Sequence, residues 1–460
     1  MILFTRTEAR DFRALFSRCV SGRPRGPAPP VAIRTHDDTR TVTATTPGGV
    51  ILSHTSPAPE ERDDFLLLPA SVLTEVEGGT DEVVTLERQS QLRAVVRWQG
   101  GGKPRTLPVE LALPGKQHEI PTPPELFPVS KTVLAALHEC GRSAARDNGR
   151  YALSRVQLRG KAGHVVGTDG KVALLWRGFS LPFTDDVLVP ALTVFGSKPL
   201  VRVEDMQVGR TSTHIAVRAG SWMVSLPVET KARYPDVLSV IPRQSPTTAT
   251  LDPRDVVELL KVLPTLPGTD DDNRPVTLDV NGTVTVRAAD PLKGGVREVA
   301  LMRSAVSGPS MRVALDRRPL ARALSLGCHT LKLTPGKPFI AEGEGLTLVI
   351  APLDPASVVP PPADKSATPA DDSRTTPSPT NIERSSPMKA TESNGHTPPR
   401  GDPPDPLFAA EELRDALADA ATKAARLVTA LKAGRKEKKV LATVFAGLKQ
   451  LNLNISNEQP

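Results

Sequence analysis

Apolar residues fall at helical spacing near the start of three stretches of similar design. Phe12, Leu15, Phe16 and Cys19 follow Thr7, a residue type that caps helices, and Val133, Leu134, Leu137 and Cys140 follow Ser130. Val256, Leu259, Leu260 and Leu263 follow Asp252, with Pro253 at the first helical position and Asp255 in the first turn. Each helical pattern gives way to alternation with period two about a tight turn. The turns are Pro47-Gly48-Gly49 within Thr41 to Ser53, Gly160 to Gly163 within Val156 to Val166, and Asn281-Gly282 within Val276 to Val286. Asn-Gly between alternating Val and Thr predicts a hairpin, because both residues tolerate positive φ. A second helix is expected at Leu68 to Leu73, Val189 to Val194 and Leu315 to Leu324, with further strands at Leu92 to Trp98, His214 to Val217 and Leu346 to Ile350.

Two helices and several antiparallel strands thus recur three times, over residues 1–120, 121–243 and 244–355. An α+β unit of this kind buries one helix face and one sheet face and leaves the other faces to solvent. Periodicity alone admits a linear array of three domains as readily as a ring lined by helices.

The pattern changes after residue 355. Residues 356–406 are dominated by Pro, Ser, Thr and Ala and cannot repay their ordering entropy, so a disordered linker is expected there. Residues 407–455 read as a helical tail, with Leu413, Leu417, Ala420, Ala424, Leu427 and Leu431 on a heptad seam. Acids such as Glu411 and Asp415 precede bases such as Lys432 and Arg435, which suits the helix dipole, and Gly434 divides the helix. Such a tail can pack back on the body, self-associate or bind a partner.

Composition adds limits. A 460-residue chain with 39% hydrophobic residues holds several cores. A net charge of +7 fits a polyanionic partner and equally a solvated surface. Cys19, Cys140 and Cys328 lie too far apart for a disulfide framework or a metal site, and His138, His164, His214 and His329 lack ligand spacing. The chain start reads as having no signal peptide, and no apolar run reaches the ~18 residues of a membrane span, so a cytoplasmic protein is expected. No phosphate-cradling loop and no nucleophile elbow occur, and Gly167-Thr168-Asp169-Gly170 reads as a turn. A binding protein without cofactor or metal is expected. An enzyme, such as a hydrolase using Asp169 and a histidine, is the weaker class and requires the two within hydrogen-bond reach.

Asn148-Gly149-Arg150-Tyr151-Ala152-Leu153, followed by Gly167-Thr168-Asp169-Gly170-Lys171-Val172-Ala173-Leu174, resembles the middle-domain signature of the bacterial sliding clamp, the beta subunit of DNA polymerase III. Val187 to Ala191, Lys231 to Pro242 and Leu348 to Leu353 are similar to later pieces of that family in the same order. The resemblance covers residues 1–355, most closely 125–242. It implies three clamp domains closing as a homodimer around double-stranded DNA without sequence specificity, and tethering DNA polymerase and clamp-loader subunits. A clamp-like interaction scaffold outside replication is the alternative.

Carried over position by position, the partner-peptide pocket comprises Leu153, Thr168, Gly170, Lys171, Val172 and Ala173, with Pro235, Val240, Ala351, Pro352 and Leu353. Val172 stands where the family has arginine, Ser239 where it has another base, and Ala351 where it has methionine, which makes a shallower, less basic pocket. The DNA-facing residues expected from helix faces are Arg6, Arg10 and Arg13 in the first unit, and Lys131, Arg142 and Arg146 in the second. In the third they are Arg254, Lys261, Arg317, Arg318 and Arg322. Gln450 to Ile455 looks like the Gln-Leu-x-Leu-Phe peptide of clamp partners with Asn454 in place of the aromatic, so the tail is a candidate occupant of the chain's own pocket.

Overall fold

A computed structural model describes residues 1–22, 26–58, 62–113, 115, 124–146, 152–268, 273–289 and 295–361. Asn148 to Tyr151, most of the expected linker and the whole expected helical tail lie outside the described residues. The first repeat runs β1 (Ile2–Thr5), α1 (Arg6–Arg18), β2 (Val31–His36), β3 (Thr39–Thr45), β4 (Ile51–Pro57), β5 (Asp64–Leu68), α2 (Ser71–Val76), β6 (Val83–Ser90), β7 (Arg93–Gly100) and β8 (Lys103–Glu110). The second runs β9 (Leu126–Pro128), α3 (Thr132–Ser143), β10 (Arg155–Arg159), β11 (His164–Thr168), β12 (Val172–Arg177), β13 (Asp186–Pro190), α4 (Lys198–Val201), β14 (Met206–Arg210), β15 (His214–Ala219) and β16 (Trp222–Pro227). The third runs β17 (Thr247–Thr250), α5 (Pro253–Val262), β18 (Pro275–Asn281), β19 (Thr283–Ala289), β20 (Val296–Leu301), β21 (Ala305–Ser307), β22 (Met311–Asp316), α6 (Arg317–Ser325), β23 (Thr330–Leu333), β24 (Phe339–Gly343) and β25 (Leu346–Ile350). Only the short β21 breaks the common strand order.

Local chemistry explains where these helices start. The cap of α1 is Thr5 rather than Thr7. The Thr5 hydroxyl accepts from Glu8 N at 3.1 Å and the Glu8 carboxylate accepts from Thr5 N at 2.6 Å, a reciprocal capping box. Asp252 caps α5 through Arg254 N, and Asp316 caps α6 through Arg318 N. Ala9, Phe12 and Leu15 of α1 are buried against the sheets, as are Val133, Leu134, Leu137 and Cys140 of α3. Truncating a buried Phe or Leu here removes about 3–5 kcal/mol.

The second helix of the middle repeat departs from expectation. Val187 to Pro190 is buried along its length as strand β13, and only a 3-10 turn at Val194–Gly196 and the four residues of α4 follow. An apolar run buried on both sides carries no period to separate strand from helix.

All strand pairs are antiparallel, and sheets cross from one repeat to the next. An eight-stranded sheet has the order β5-β2-β3-β4-β16-β15-β14-β9, and a nine-stranded sheet has the order β13-β10-β11-β12-β25-β24-β23-β17-β21. The first seam sets Ile51 opposite Ser225 and His54 opposite Trp222; the second sets Val172 opposite Ile350 and Trp176 opposite Leu346. At both seams the fourth strand of one repeat meets the last strand of the next. Two four-stranded sheets remain, β1-β6-β7-β8 and β20-β19-β18-β22, each ending on an edge strand, β8 or β20, whose outer side has no strand partner among the described residues.

Candidate partner groove and helix face

Four segments meet at the end of the seam between β12 and β25. Lys171 O accepts from Ala351 N at 2.8 Å, and Arg233 O accepts from Ala152 N at 3.0 Å. The turn before β12 is fixed by its own side chains. Asp169 Oδ1 accepts from Lys171 N at 2.8 Å and Val172 N at 2.7 Å, while the Thr168 hydroxyl donates to Val172 O at 2.7 Å and accepts from Gly170 N at 3.0 Å. Gly170 sits at φ +91, the left-handed region, and its Cα faces the Leu153 side chain, which a Cβ would approach to 3.8 Å.

The connection from second to third repeat lies across the nine-stranded sheet. Tyr234, Val237, Leu238 and Ile241 cover Val166, Ala173, Leu175, Ile340 and Val349 as a small separate core. The Tyr234 hydroxyl donates to Arg155 O at 3.4 Å and Val166 O at 3.3 Å, and burial pushes its pKa up, keeping it a donor. Sequence reasoning passed over this residue as a support. A tyrosine followed by the apolar Val237, Leu238 and Ile241 within the connection was the available signal.

Leu153, Gly170, Lys171, Ala173 and Ala351 therefore come together at this turn, whereas Val172, one residue before Ala173 on β12, sends its side chain to the main core on the opposite sheet face. Thr168 and Ala173 are buried; Leu153, Val172, Pro235 and Leu353 are half-buried; Gly170, Lys171, Ala351 and Pro352 are exposed, and Val240 is 47% exposed. Leu353 N also donates to Ala314 O at 2.8 Å, holding the chain after β25 against β22. Thr168, Ala173, Val349, Ile340, Lys332 and Thr248 stand opposite one another across successive strands, a single row on this sheet face. Its far end borders a cleft of about 490 Å³ lined by Arg243, Ser245, Thr248 and Lys332. This cleft was not legible in the sequence, because only the strand order brings Lys332 beside Thr248.

The helices form a row on the opposite side. α1 contacts α2 and the 3-10 turn at Val194–Gly196, which contacts α3, and α5 contacts α6. Arg322 of α6 reaches Glu139 and the Ser143 hydroxyl of α3, both at 2.9 Å, and Arg18 of α1 reaches the Ser197 hydroxyl at 3.0 Å. Arg18 was not among the expected residues, although its place in the last turn of α1 is readable.

Most of the cations expected to face DNA are already partnered. Arg6 donates to Val76 O and Glu77 O at 3.0 and 3.1 Å and pairs with Glu82 at 2.6 Å, tying α1 to α2. Arg10 pairs with Asp11, Arg13 with Glu77, Lys131 with Glu204, Arg142 with Glu139, Arg254 with Asp252 and Arg318 with Asp316. Arg146 and Lys261 are exposed with no ion pair among the described residues. Arg317 differs from all of these. It is 3% exposed and donates to the carbonyls of Leu263, Leu266, Pro267, Arg274 and Pro275, so its guanidinium is a clamp within the third repeat and not a surface charge. Helical spacing alone could not separate it from Arg318.

Asp169 Oδ1 is engaged by two backbone N–H groups of its own turn, and no histidine bonds to Asp169 among the described residues. Among the described residues no His, Cys, Asp and Glu side chains cluster as a metal site would require, and no helix is long and apolar enough to cross a membrane. Burial pushes the Cys19 thiol up to about 12 and the Cys328 thiol up to about 11, so neither is a nucleophile at neutral pH.

No protein-family model and no curated protein matches this sequence. Solved structures do. The DNA polymerase sliding clamp of Bacillus subtilis is similar with a TM-score of 0.64 at 15% identity, over 76% of this chain and 98% of that one. The DNA polymerase III beta subunit of Pseudomonas aeruginosa has a TM-score of 0.62 at 17% identity, over 77% of this chain and 99% of that one. The sliding clamp of Bartonella birtlesii bound to griselimycin has a TM-score of 0.62 at 16% identity, with the same coverage. At these identities the structural likeness shows the fold alone.

Proposed function

We propose that this chain, which has the fold of the DNA polymerase III beta-subunit sliding clamp in strongly diverged sequence, closes head to tail with a second copy into a ring on duplex DNA. The carrying observation is the repeated seam. The fourth strand of the first repeat joins the last strand of the second, and the fourth strand of the second joins the last strand of the third. The same rule leaves β20 to find a β8, and a second copy supplies it while leaving its own β20 for the first chain's β8. A heterologous contact that closes after two copies makes a ring rather than a filament.

On this reading the helix row lines the opening. Phosphates are met by sparse cations, most of them balanced by an acid, and the ring holds by enclosure rather than by affinity. The groove beside Leu153, Val240 and Ala351 takes the apolar side chains of an extended segment from a polymerase or clamp-loader subunit. The protein performs no bond chemistry on this reading. The paired cations also favour a second reading, a clamp-shaped scaffold that assembles partners away from DNA.

Retention on nicked circular DNA, followed by linearisation, separates the two. An enclosing ring stays with the circle in moderate salt and runs off once an end is made. Equal release from circular and linear DNA supports the scaffold.

A further inference from the structure

We infer that Pro104 weakens association of two copies of this chain, because it removes from the open edge of β8 a backbone donor that both internal seams possess; this rests on the head-to-tail closure proposed above. Lys103, Trp222 and Leu346 are equivalent, each the first residue of a last strand and each opposite the residue that enters its hairpin: Gly100, Ala219 and Gly343. Counting onward, Pro104 stands where Met223 and Thr347 stand, Thr106 where Ser225 and Val349 stand, and Pro108 where Pro227 and Ala351 stand.

Alternation along an antiparallel strand decides which of these residues turn N–H and C=O towards the neighbouring repeat. Ala351 N donates to Lys171 O, so Thr347 and Val349 also face β12. Thr55 N donates to Ser221 O, so Met223 and Ser225 face β4. In β8, Leu111 N donates to Leu92 O, which places Leu111, Val109, Leu107, Arg105 and Lys103 on the β7 side. Pro104, Thr106, Pro108 and Glu110 are left facing the open edge.

Between Lys103 and Pro108, therefore, only Thr106 offers that edge an N–H. At the position of Pro104 both internal seams have a donor, whereas at that of Pro108 the first seam also has a proline. A β20 laid against this edge leaves a carbonyl without a partner as water is squeezed out, once at each of the two seams of a ring. Prolines on a free edge also guard the single chain against indiscriminate strand addition. What remains to hold the copies together is the N–H of Thr106 and of Glu110, the edge carbonyls and side-chain burial, and exposed apolar residues stand at both edges: Leu113 just beyond β8, Val296 at the start of β20 and Met302 just after it. A seam of this kind carries fewer backbone hydrogen bonds than either internal seam.

The test is sedimentation velocity of the full chain across nanomolar to high micromolar concentration, wild type against Pro104→Thr, with Pro108→Thr alongside. Restoring one donor at each of two seams is expected to lower the dimer Kd by about tenfold. Pro108→Thr is expected to shift it less. A chain that dimerises tightly and is indifferent to Pro104→Thr overturns the inference and leaves the ring standing. A chain that stays monomeric in every form overturns both. Unchanged thermal melting of monomeric Pro104→Thr confirms that only the edge was altered.

Discussion

Replacing Arg317 by methionine separates a clamp inside the third repeat from a contact with DNA. Methionine keeps most of the stem that packs at the start of α6 but leaves five carbonyls without the guanidinium. Two of them matter most, because Leu263 and Leu266 are 1% and 0% exposed and their oxygens lie 3.3 and 2.6 Å from Arg317 Nη1. Each buried acceptor left unpaired costs about 1–3 kcal/mol, and relief of the guanidinium's own desolvation offsets part of this. Burial lowers the Arg317 pKa, and nearby Arg274 lowers it further, yet an arginine so shifted remains charged at neutral pH. The net expectation is a loss of about 3 kcal/mol, confined to the third repeat. A multi-repeat chain need not unfold in one step, so native-state hydrogen exchange of the β18 and β22 amides is the suitable assay. Protection falls there by about two orders of magnitude while the β2 to β4 amides are unchanged. Less than about 1 kcal/mol of lost protection, together with loss of DNA retention, refutes the structural role.

Three further outcomes follow from the geometry. Val240→Asp in the groove is expected to weaken a polymerase-derived peptide by about tenfold or more with no change in melting, because a half-exposed apolar wall becomes charged; unchanged affinity in calorimetry rejects the groove. Asp255 is 1% exposed: burial pushes its pKa up, but bonds from the Ser304 hydroxyl, Arg303 N and the Arg303 guanidinium outweigh this and leave it below the ordinary carboxylate range. Its stabilisation is therefore present above the unfolded value near pH ~4 and lost as pH falls through the lower folded value. The melting gap between wild type and Asp255→Asn should be full at pH 7 and shrink at acid pH, and a gap that is constant with pH contradicts this. Arg322→Ala breaks the link between α6 and α3, and increased exchange in α3 near Glu139 is its expected signature.

The three repeats were legible because helical and strand periods are local. Asp252 with Pro253, and Asn281-Gly282, fixed a helix start and a hairpin from adjacent residues, and Thr5 with Glu8 three residues on was a readable capping box that Thr7 obscured. The convergence of Leu153, Gly170, Pro235 and Ala351 came from family resemblance, since no local pattern brings residues so distant in sequence together. Charge pairing was hidden for the same reason: Glu77 lies far along the chain from Arg13, and Glu204 far from Lys131. Both sheet seams, and hence the argument for closure, rest on strand pairs such as β4 with β16 that only the fold discloses.

Electron microscopy of the full chain, on particles whose mass is that of two copies, tests encirclement most directly. The account predicts class averages of a closed ring with a central opening wide enough for duplex DNA. Open three-lobed chains without an opening, at concentrations where two copies associate, would contradict it.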